Sequence, residues 1–150
     1  MRRLAAPIAV ALLVAIGAVE ASVSAQQLAE SVGRPRLEVA GVALSAAGLL
    51  ASTVVYAILG HLAVDDRAAL RTGVTVGALA GLIGGAVRAV LISAPVADLV
   101  ARYAAVPGWF TGVALLVFVA LSCVASAVGG GPLAWTGRRL SRAMRSRPPA

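Results

Sequence analysis

Four long apolar runs alternate with short polar segments along the chain. The runs are Leu4–Ala25, Val39–Gly60, Thr72–Ala94 and Trp109–Gly129. Each holds about 21 to 23 residues, and an α-helix of that length, at about 1.5 Å per residue, covers the hydrocarbon core of a bilayer, about 30 Å thick. The strands of a membrane β-barrel would instead alternate polar and apolar residues over about ten positions. The pattern therefore predicts an all-α, polytopic transmembrane helix bundle with four spans.

The composition agrees with a membrane protein. Hydrophobic residues make up 60% of the 150 residues and charged residues only 13%, with a mean hydropathy of +0.94. Soluble domains have about 25% charged residues. The second and fourth runs contain no charge, the first contains only Glu20 and the third only Arg88. We therefore expect a helix bundle over residues 1–137, followed by a basic cytoplasmic tail over residues 138–150.

The distribution of arginine predicts the orientation. All thirteen basic residues are arginine, and the net charge is +7. Cytoplasmic loops of membrane proteins are enriched in positive charge. With both termini in the cytoplasm, nine arginines lie inside and three outside. The inside set is Arg2, Arg3, Arg67, Arg71, Arg138, Arg139, Arg142, Arg145 and Arg147, and the outside set is Arg34, Arg36 and Arg102. This predicts a multi-pass protein of the plasma (inner) membrane.

The first run has a second interpretation, as a cleaved signal peptide. Arg2 and Arg3 form a basic start, an apolar stretch follows, and the small residues at 23–25 resemble a cleavage site. Cleavage after Ala25 would leave three spans, and the orientation of these three would not change. The prediction that both termini are cytoplasmic holds only if the first run is retained.

The connections between the runs carry helix signals of their own. Asp65 and Asp66 precede the third run, where carboxylates cap free amides and oppose the helix dipole. Between Pro95 and Pro107, apolar residues recur on one helical face. This predicts a separate short helix on the outer surface of the membrane. An irregular solvated loop is the alternative.

Small residues mark one face of each of two runs. The third run has Gly73, Gly77, Gly81 and Gly85, and the second has Gly41, Ser45, Gly48 and Ser52. Such residues let two helix backbones approach closely. We expect the second and third runs to pack against each other along these two ridges. In the alternative, the glycine ridge drives self-association or lines a pore.

The two charges inside the runs lie at similar depths. Glu20 is five residues from the outer end of its run and Arg88 is six from the outer end of its own, so both lie about 8 to 9 Å below the outer boundary. An unpaired Arg at a helix centre costs about 2.5 to 3.5 kcal/mol. We therefore predict a Glu20–Arg88 ion pair, with Asp98 as the alternative partner of Arg88. Without a pair, Arg88 would extend to the membrane surface.

The chain offers little for catalysis. A single histidine, His61, cannot supply paired haem ligation, and the donors for a structural zinc site are too few. The single cysteine, Cys123, excludes an intrachain disulfide and is expected to pack as a small residue. The H-E-x-x-H, G-x-S-x-G and phosphate-loop motifs do not occur. We therefore expect no enzyme activity, no cofactor and no metal.

The basic tail predicts contact with lipid. Its arginines are Arg138, Arg139, Arg142, Arg145 and Arg147. Each charge near an anionic leaflet is attracted by about 1 kcal/mol. The expected partners are the anionic lipids of the cytoplasmic leaflet, and a nucleic acid is not expected.

Two classes of function fit this sequence. The first is a non-catalytic helix-bundle module that associates with itself or joins a larger membrane complex through its small-residue faces. The second is a small pore or transporter, including a holin-like protein that permeabilises the membrane. A conduction path needs several polar residues along one face, and the second and fourth runs offer mainly Ser and Thr. The sequence therefore favours the first class.

Overall fold

A computed structural model describes residues 2–30, 39–103 and 107–145, and within these residues it contains helices and no strand. The helices are α1 (Arg2–Glu30), α2 (Val39–Leu62), α3 (Asp66–Tyr103) and α4 (Gly108–Arg145). Each includes a segment long and apolar enough to cross a membrane, and these segments are Leu4–Gln26, Ala43–Leu62, Asp66–Ala94 and Trp109–Arg145. The predicted all-α bundle of four membrane-spanning helices is confirmed.

The helices follow the order α1, α2, α4, α3 around the bundle. The α3–α4 interface is the most extensive, and α1 packs on α3 and α2, while α2 packs on α4. Helices α2 and α3 lie across a diagonal and touch less than any two neighbouring helices do, and across the other diagonal the described residues of α1 and α4 do not contact each other. We call the end that holds residues 60–72 and 130–145 the arginine end, and the other end the opposite end.

The start of α3 confirms the predicted cap. Asp66 is the first residue of the helix, and the side-chain Oδ1 of Asp65 accepts a hydrogen bond from the backbone N–H of Ala68 at 2.6 Å. This is the geometry of an N-cap, which satisfies a backbone donor that has no partner inside the helix.

The predicted surface helix after the third run is not a separate element. Helix α3 continues from Ala94 through Pro95 to Tyr103. A proline removes only one backbone hydrogen bond of a helix, although it also crowds the preceding turn. The residues after Pro95 repeat the apolar spacing of a helix, and the helical backbone continues through them. The prediction of a separate surface helix was wrong, because its residues up to Tyr103 belong to the last turns of α3.

Helix α4 also extends beyond its predicted end at Gly129. It runs through Gly130, Gly131 and Pro132 to Arg145. Glycine and proline have low helix propensity, but tertiary packing contributes more to helix stability than propensity does. A side chain at Gly130 would overlap both the Gly73 carbonyl oxygen (2.6 Å) and the Tyr56 ring (2.7 Å). Close packing against two helices explains why α4 continues through this glycine-rich segment.

Large apolar side chains face outward and small residues face inward. Leu116 is 71% exposed, whereas Ala134 is fully buried. Exposed large residues occur on every helix, for example Leu12, Leu50, Leu82 and Leu121. Buried residues include Ala9, Ala69, Ala80 and Ala89. Small residues at helix contacts and large apolar residues facing outward are typical of bundles that pack in lipid.

The glycine ridge of α3 faces α4, so the prediction that it packs on α2 was wrong. A methyl group at Gly73 would meet the Gly130 carbonyl oxygen, and one at Gly77 would meet the Ser126 carbonyl oxygen. Helix α4 presents a matching ridge at four-residue steps, Ser122, Ser126, Gly130 and Ala134. We call this contact the α3–α4 seam. Helix α4 can approach α3 closely because the facing ridges of both helices consist of small residues. Helix α2, in contrast, lies across the diagonal from α3.

Candidate functional site

The structure brings Glu20 and Arg88 together. Arg88 Nη2 donates to Glu20 Oε2 at 2.5 Å, and Arg88 Nε donates to the Gly17 carbonyl oxygen at 3.1 Å. Gly17 lies one turn before Glu20 on α1, so the guanidinium of α3 lies across a single turn of α1. Charge-assisted hydrogen bonds of this kind are about twice as strong as neutral ones.

Asp98, the alternative partner, is not the residue that pairs with Arg88. It is exposed and lies on α3 itself, ten residues after Arg88. That separation is about 15 Å along a helix. The pair therefore joins α1 to α3, and it exists only while the first apolar run remains attached to the chain.

Two glycines provide the space for the ion pair. A methyl group at Gly17 would lie 3.2 Å from Arg88 Nε and from Nη2. On α2, a methyl group at Gly48 would overlap Glu20 Oε1. The carboxylate thus lies where α1, α2 and α3 meet. Gly48 belongs to the predicted small-residue ridge of α2, but it accommodates an acidic side chain of α1 rather than the backbone of α3.

Beside the ion pair lies a cavity of about 360 Å³ that is lined by all four helices. We call it the crevice. Glu20 and Arg88 line it, together with six hydroxyl-bearing residues, Ser45, Ser52, Thr53, Tyr56, Ser122 and Ser126. Thr53 Oγ1 donates to the Leu49 carbonyl oxygen of its own helix at 2.8 Å. The predicted ridge residues Ser45, Gly48 and Ser52 therefore face the crevice.

The crevice is closed at the arginine end and open along an edge of α2. At the arginine end, a methyl group at Gly60 would overlap the Ala134 carbonyl oxygen, and one at Gly137 would lie 2.6 Å from Ala57 Cα. Toward the opposite end, Leu49 lines the crevice although it is 68% exposed. Helices α2 and α4 are thus in backbone contact at the arginine end, and the crevice is bounded there.

The ion pair is not sealed from the crevice. The side chain of Arg88 is 35% exposed and that of Glu20 is 21% exposed. Charged groups at membrane depth are costly in contact with hydrocarbon, and such groups face a water-filled cavity or another polar group. The crevice therefore needs a polar occupant beside the pair, whether water, a ligand or a partner side chain.

The basic tail continues α4 instead of forming a separate unit. Arg138 Nη2 donates to the Val64 carbonyl oxygen at 2.6 Å. Arg142 pairs with Asp66 through the two terminal nitrogens of its guanidinium. The distances are 3.2 Å from Nη1 to Oδ2 and 3.1 Å from Nη2 to Oδ1. Arg138 thus binds the α2–α3 connection and Arg142 binds the first residue of α3, contacts that the prediction of a lipid-facing tail did not include.

The other tail arginines differ from these two. The guanidinium carbon of Arg139 lies 4.0 Å from the centre of the Trp135 ring, a cation–π contact. Arg145 is exposed at the end of α4, and Arg147 lies outside the described residues. Gly41 begins the predicted ridge of α2, but its surroundings also lie outside the described part of the chain.

The remaining singled-out residues lie away from the ion pair. His61 is exposed near the end of α2. Cys123 Sγ lies 3.4 Å from the Ala78 carbonyl oxygen, within the α3–α4 seam, as expected for a packed small residue. Within the described residues, no three His, Cys, Asp or Glu side chains come together as a metal site would require.

Sequence reasoning missed two features of the site, the crevice and the contribution of α4 to it. The signal for α4 was present, because Ser122, Ser126 and Gly130 recur at four-residue steps like the glycines of α3. The crevice itself leaves no signal in any single helix, because its lining comes from all four helices.

No protein-family model, no curated protein and no solved structure matches this chain. What the site does must therefore be inferred from its own geometry.

Proposed function

We propose that the chain is a non-catalytic helix-bundle module of the membrane, which associates with a second copy of itself or joins a larger membrane complex. The observation that carries this proposal is the crevice, which exposes a charged pair and hydroxyl groups at membrane depth. A partner helix over its mouth would shield these groups from hydrocarbon. The glycine ridge of α3 is already covered by α4, so we assign the association to the mouth of the crevice.

The proposed surroundings are the plasma (inner) membrane, with both termini in the cytoplasm. This orientation is supported by the arginine end, where Arg67, Arg71 and Arg139 are exposed together. An anionic cytoplasmic leaflet attracts such a cluster. We expect exposed Arg139 and Arg145 to contact its lipids, and we expect no nucleic-acid partner.

Cross-linking in native membranes tests the association. In a Cys123→Ser background, the single-cysteine variant Ser45→Cys places a thiol at the mouth of the crevice, and Val90→Cys places one on the exposed face of α3. We expect Ser45→Cys to give a cross-linked species of twice the mass, or a discrete larger complex, and Val90→Cys to give none. If both variants remain monomeric, or if both cross-link equally, the proposed module is wrong.

The second candidate is a small pore or transporter, including a holin-like protein that permeabilises the membrane. The observation that favours it is the run of hydroxyl groups on α2 from Ser45 to Tyr56, which extends along about 16 Å of helix. The close α2–α4 contact at the arginine end would then have to open for conduction. This candidate predicts solute flux through liposomes that contain the purified protein.

Flux measurements separate the two candidates. A conducting protein should lose flux in Arg88→Ala but keep it in Thr75→Ala, because Thr75 is exposed on α3 outside the crevice, and its Oγ1 donates to the Arg71 carbonyl oxygen of its own helix at 2.8 Å. The absence of flux from the wild-type protein, combined with cross-linking at Ser45, would favour the module. The absence of both would contradict both candidates.

A further inference from the structure

Several N–H donors of Arg88 have no acceptor among the described residues. An arginine has five N–H donors. Contacts within the described residues engage Nε, through Gly17, and one hydrogen of Nη2, through Glu20. The pair lines a crevice of about 360 Å³, and small-molecule sites have volumes of about 300 to 1,000 Å³. There is thus room for a small molecule or a headgroup beside two opposite charges.

The charge of the site limits which ligand fits. Glu20 and Arg88 sum to zero, and both side chains are partly exposed toward the crevice. A simple anion that approaches Arg88 also meets the carboxylate of Glu20, and a simple cation that approaches Glu20 meets the guanidinium of Arg88. In a medium of low dielectric constant such repulsion is large. A group that carries both charges a few Å apart can satisfy both residues together.

We propose that the crevice binds a zwitterionic group, with its anion at Arg88 and its cation at Glu20. Ser45 on α2 and Ser122 on α4 line the same cavity and offer hydroxyl groups to the ligand. Two apolar residues of the same lining lie near the pair, Ile16 one turn from Glu20 on α1 and Leu49 next to Gly48 on α2, and they accommodate an attached apolar portion. This inference goes beyond the proposed association, because it concerns a ligand site that a single copy of the chain contains.

The same chemistry has two sources. A free α-amino acid carries its ammonium and carboxylate on one carbon, and a phosphatidylethanolamine headgroup carries an ammonium near a phosphodiester. The crevice opens along the edge of α2, where Leu49 is exposed, so a headgroup can enter from the side. The two sources require separate arms of one experiment.

The amino-acid arm uses purified protein in detergent. The probes are leucine, 4-methylpentanoate, which lacks the ammonium, and 3-methylbutylamine, which lacks the carboxylate. We expect leucine to raise the unfolding temperature in a saturable way and to bind at least about tenfold more tightly than either analogue, a difference of about 1.4 kcal/mol. The lipid arm uses native mass spectrometry of protein from mixed nanodiscs. There we expect phosphatidylethanolamine adducts in preference to phosphatidylglycerol.

Substitution of one charge should change the selectivity in a defined direction. Glu20→Gln keeps the shape of the side chain but gives the site a net positive charge. It should weaken leucine binding and strengthen 4-methylpentanoate binding. Arg88→Gln should favour the amine instead. Thr75→Ala, outside the crevice, should leave all affinities as in the wild type. Helical circular dichroism and the unfolding temperature without ligand show whether each variant is folded.

The outcomes separate the sources and can overturn the inference. A response in the amino-acid arm alone identifies a free zwitterion, and a response in the lipid arm alone identifies the headgroup. The proposal is wrong if the wild-type protein shows no zwitterion preference in either arm. It is also wrong if a folded Glu20→Gln variant retains the wild-type preference. Neither result depends on cross-linking at Ser45, so failure here leaves the proposed association to be judged separately.

Discussion

The α3–α4 seam and the crevice use the same kinds of residue for opposite results. In the seam, Gly77 and Gly81 of α3 lie against the backbone of α4, and no space remains for even a methyl group. In the crevice, Ser45 and Ser52 of α2 line an open cavity whose walls come from all four helices. Small residues therefore permit close packing but do not produce it. What decides between contact and cavity is whether the facing helix is brought near.

The ion pair explains part of this difference. The carboxylate of Glu20 occupies the point where α1, α2 and α3 meet, against the backbone of Gly48. A charged side chain in this position takes the volume that a closer approach of α2 would fill. The seam contains no comparable side chain. The bundle thus has a tightly packed side and an open, polar side.

The largest expected loss of stability comes from a substitution in the α3–α4 seam. Gly77→Ala would place a methyl group on the Ser126 carbonyl oxygen, which is backbone and can move only if α4 shifts. We expect a loss of about 1 to 3 kcal/mol, typical of overpacking, measured as the free energy of unfolding in mixed micelles. The matched control is Gly112→Ala on α4, where a methyl group meets nothing within 4 Å. The control should be neutral or more stable by about 0.5 to 1 kcal/mol. Equal stability of the two variants would contradict the close packing of α3 against α4 in the seam.

The seam also shows how far the sequence could predict the structure. The lengths of the apolar runs predicted the helices, because a span needs about 20 apolar residues whatever its neighbours are. The glycine spacing correctly predicted close packing but not the partner. Two helices, α2 and α4, carried suitable small residues, and one sequence does not show which of them lies across a diagonal.

The site was predictable in one respect and not in another. Glu20 and Arg88 are the two charges inside the apolar runs, and their similar depths sufficed to predict the pair, because an isolated charge is costly there. The space around the pair was not predictable. It depends on Gly17 and Gly48 leaving room for the side chains, and on how the four helices come together around the cavity, which are properties of the assembled bundle.

The second largest effect should come from separating the pair. Glu20→Ala leaves Arg88 without its carboxylate in an apolar run, and the cost should be smaller than that of Gly77→Ala and well below the roughly 2.5 to 3.5 kcal/mol of an Arg at a helix centre, because the crevice is open and Arg88 keeps its hydrogen bond to the Gly17 carbonyl oxygen. The reversed pair, Glu20→Arg with Arg88→Glu, should accumulate in membranes better than either single reversal. If the reversed pair accumulates no better than the single changes, the two residues do not interact in the membrane.

A smaller effect is expected at Gly48. The methyl group of Gly48→Ala would overlap the end of the Glu20 side chain, which can rotate away, so the loss should be less than that of Gly77→Ala. A double-mutant cycle isolates the cause. In a Glu20→Ala background, Gly48→Ala should be close to neutral, because the overlapping carboxylate is gone. An unchanged cost in that background would mean that Gly48 contacts something other than Glu20.

The smallest effect concerns the arginine end, where the α2–α4 contact closes the crevice. Arg142 and Asp66 form an ion pair there, but the Arg142 side chain is 53% exposed, and exposed pairs contribute about 0 to 1 kcal/mol. We expect Arg142→Ala to lower stability within that range at low salt and to have no measurable effect at high salt, since added ions screen exposed charges. Arg145→Ala, one turn farther along α4, is the control and should not change the stability at either salt concentration. A large, salt-independent loss in Arg142→Ala would mean that the arginine end is held as tightly as the seam, and that the crevice is closed there by charge as well as by backbone packing.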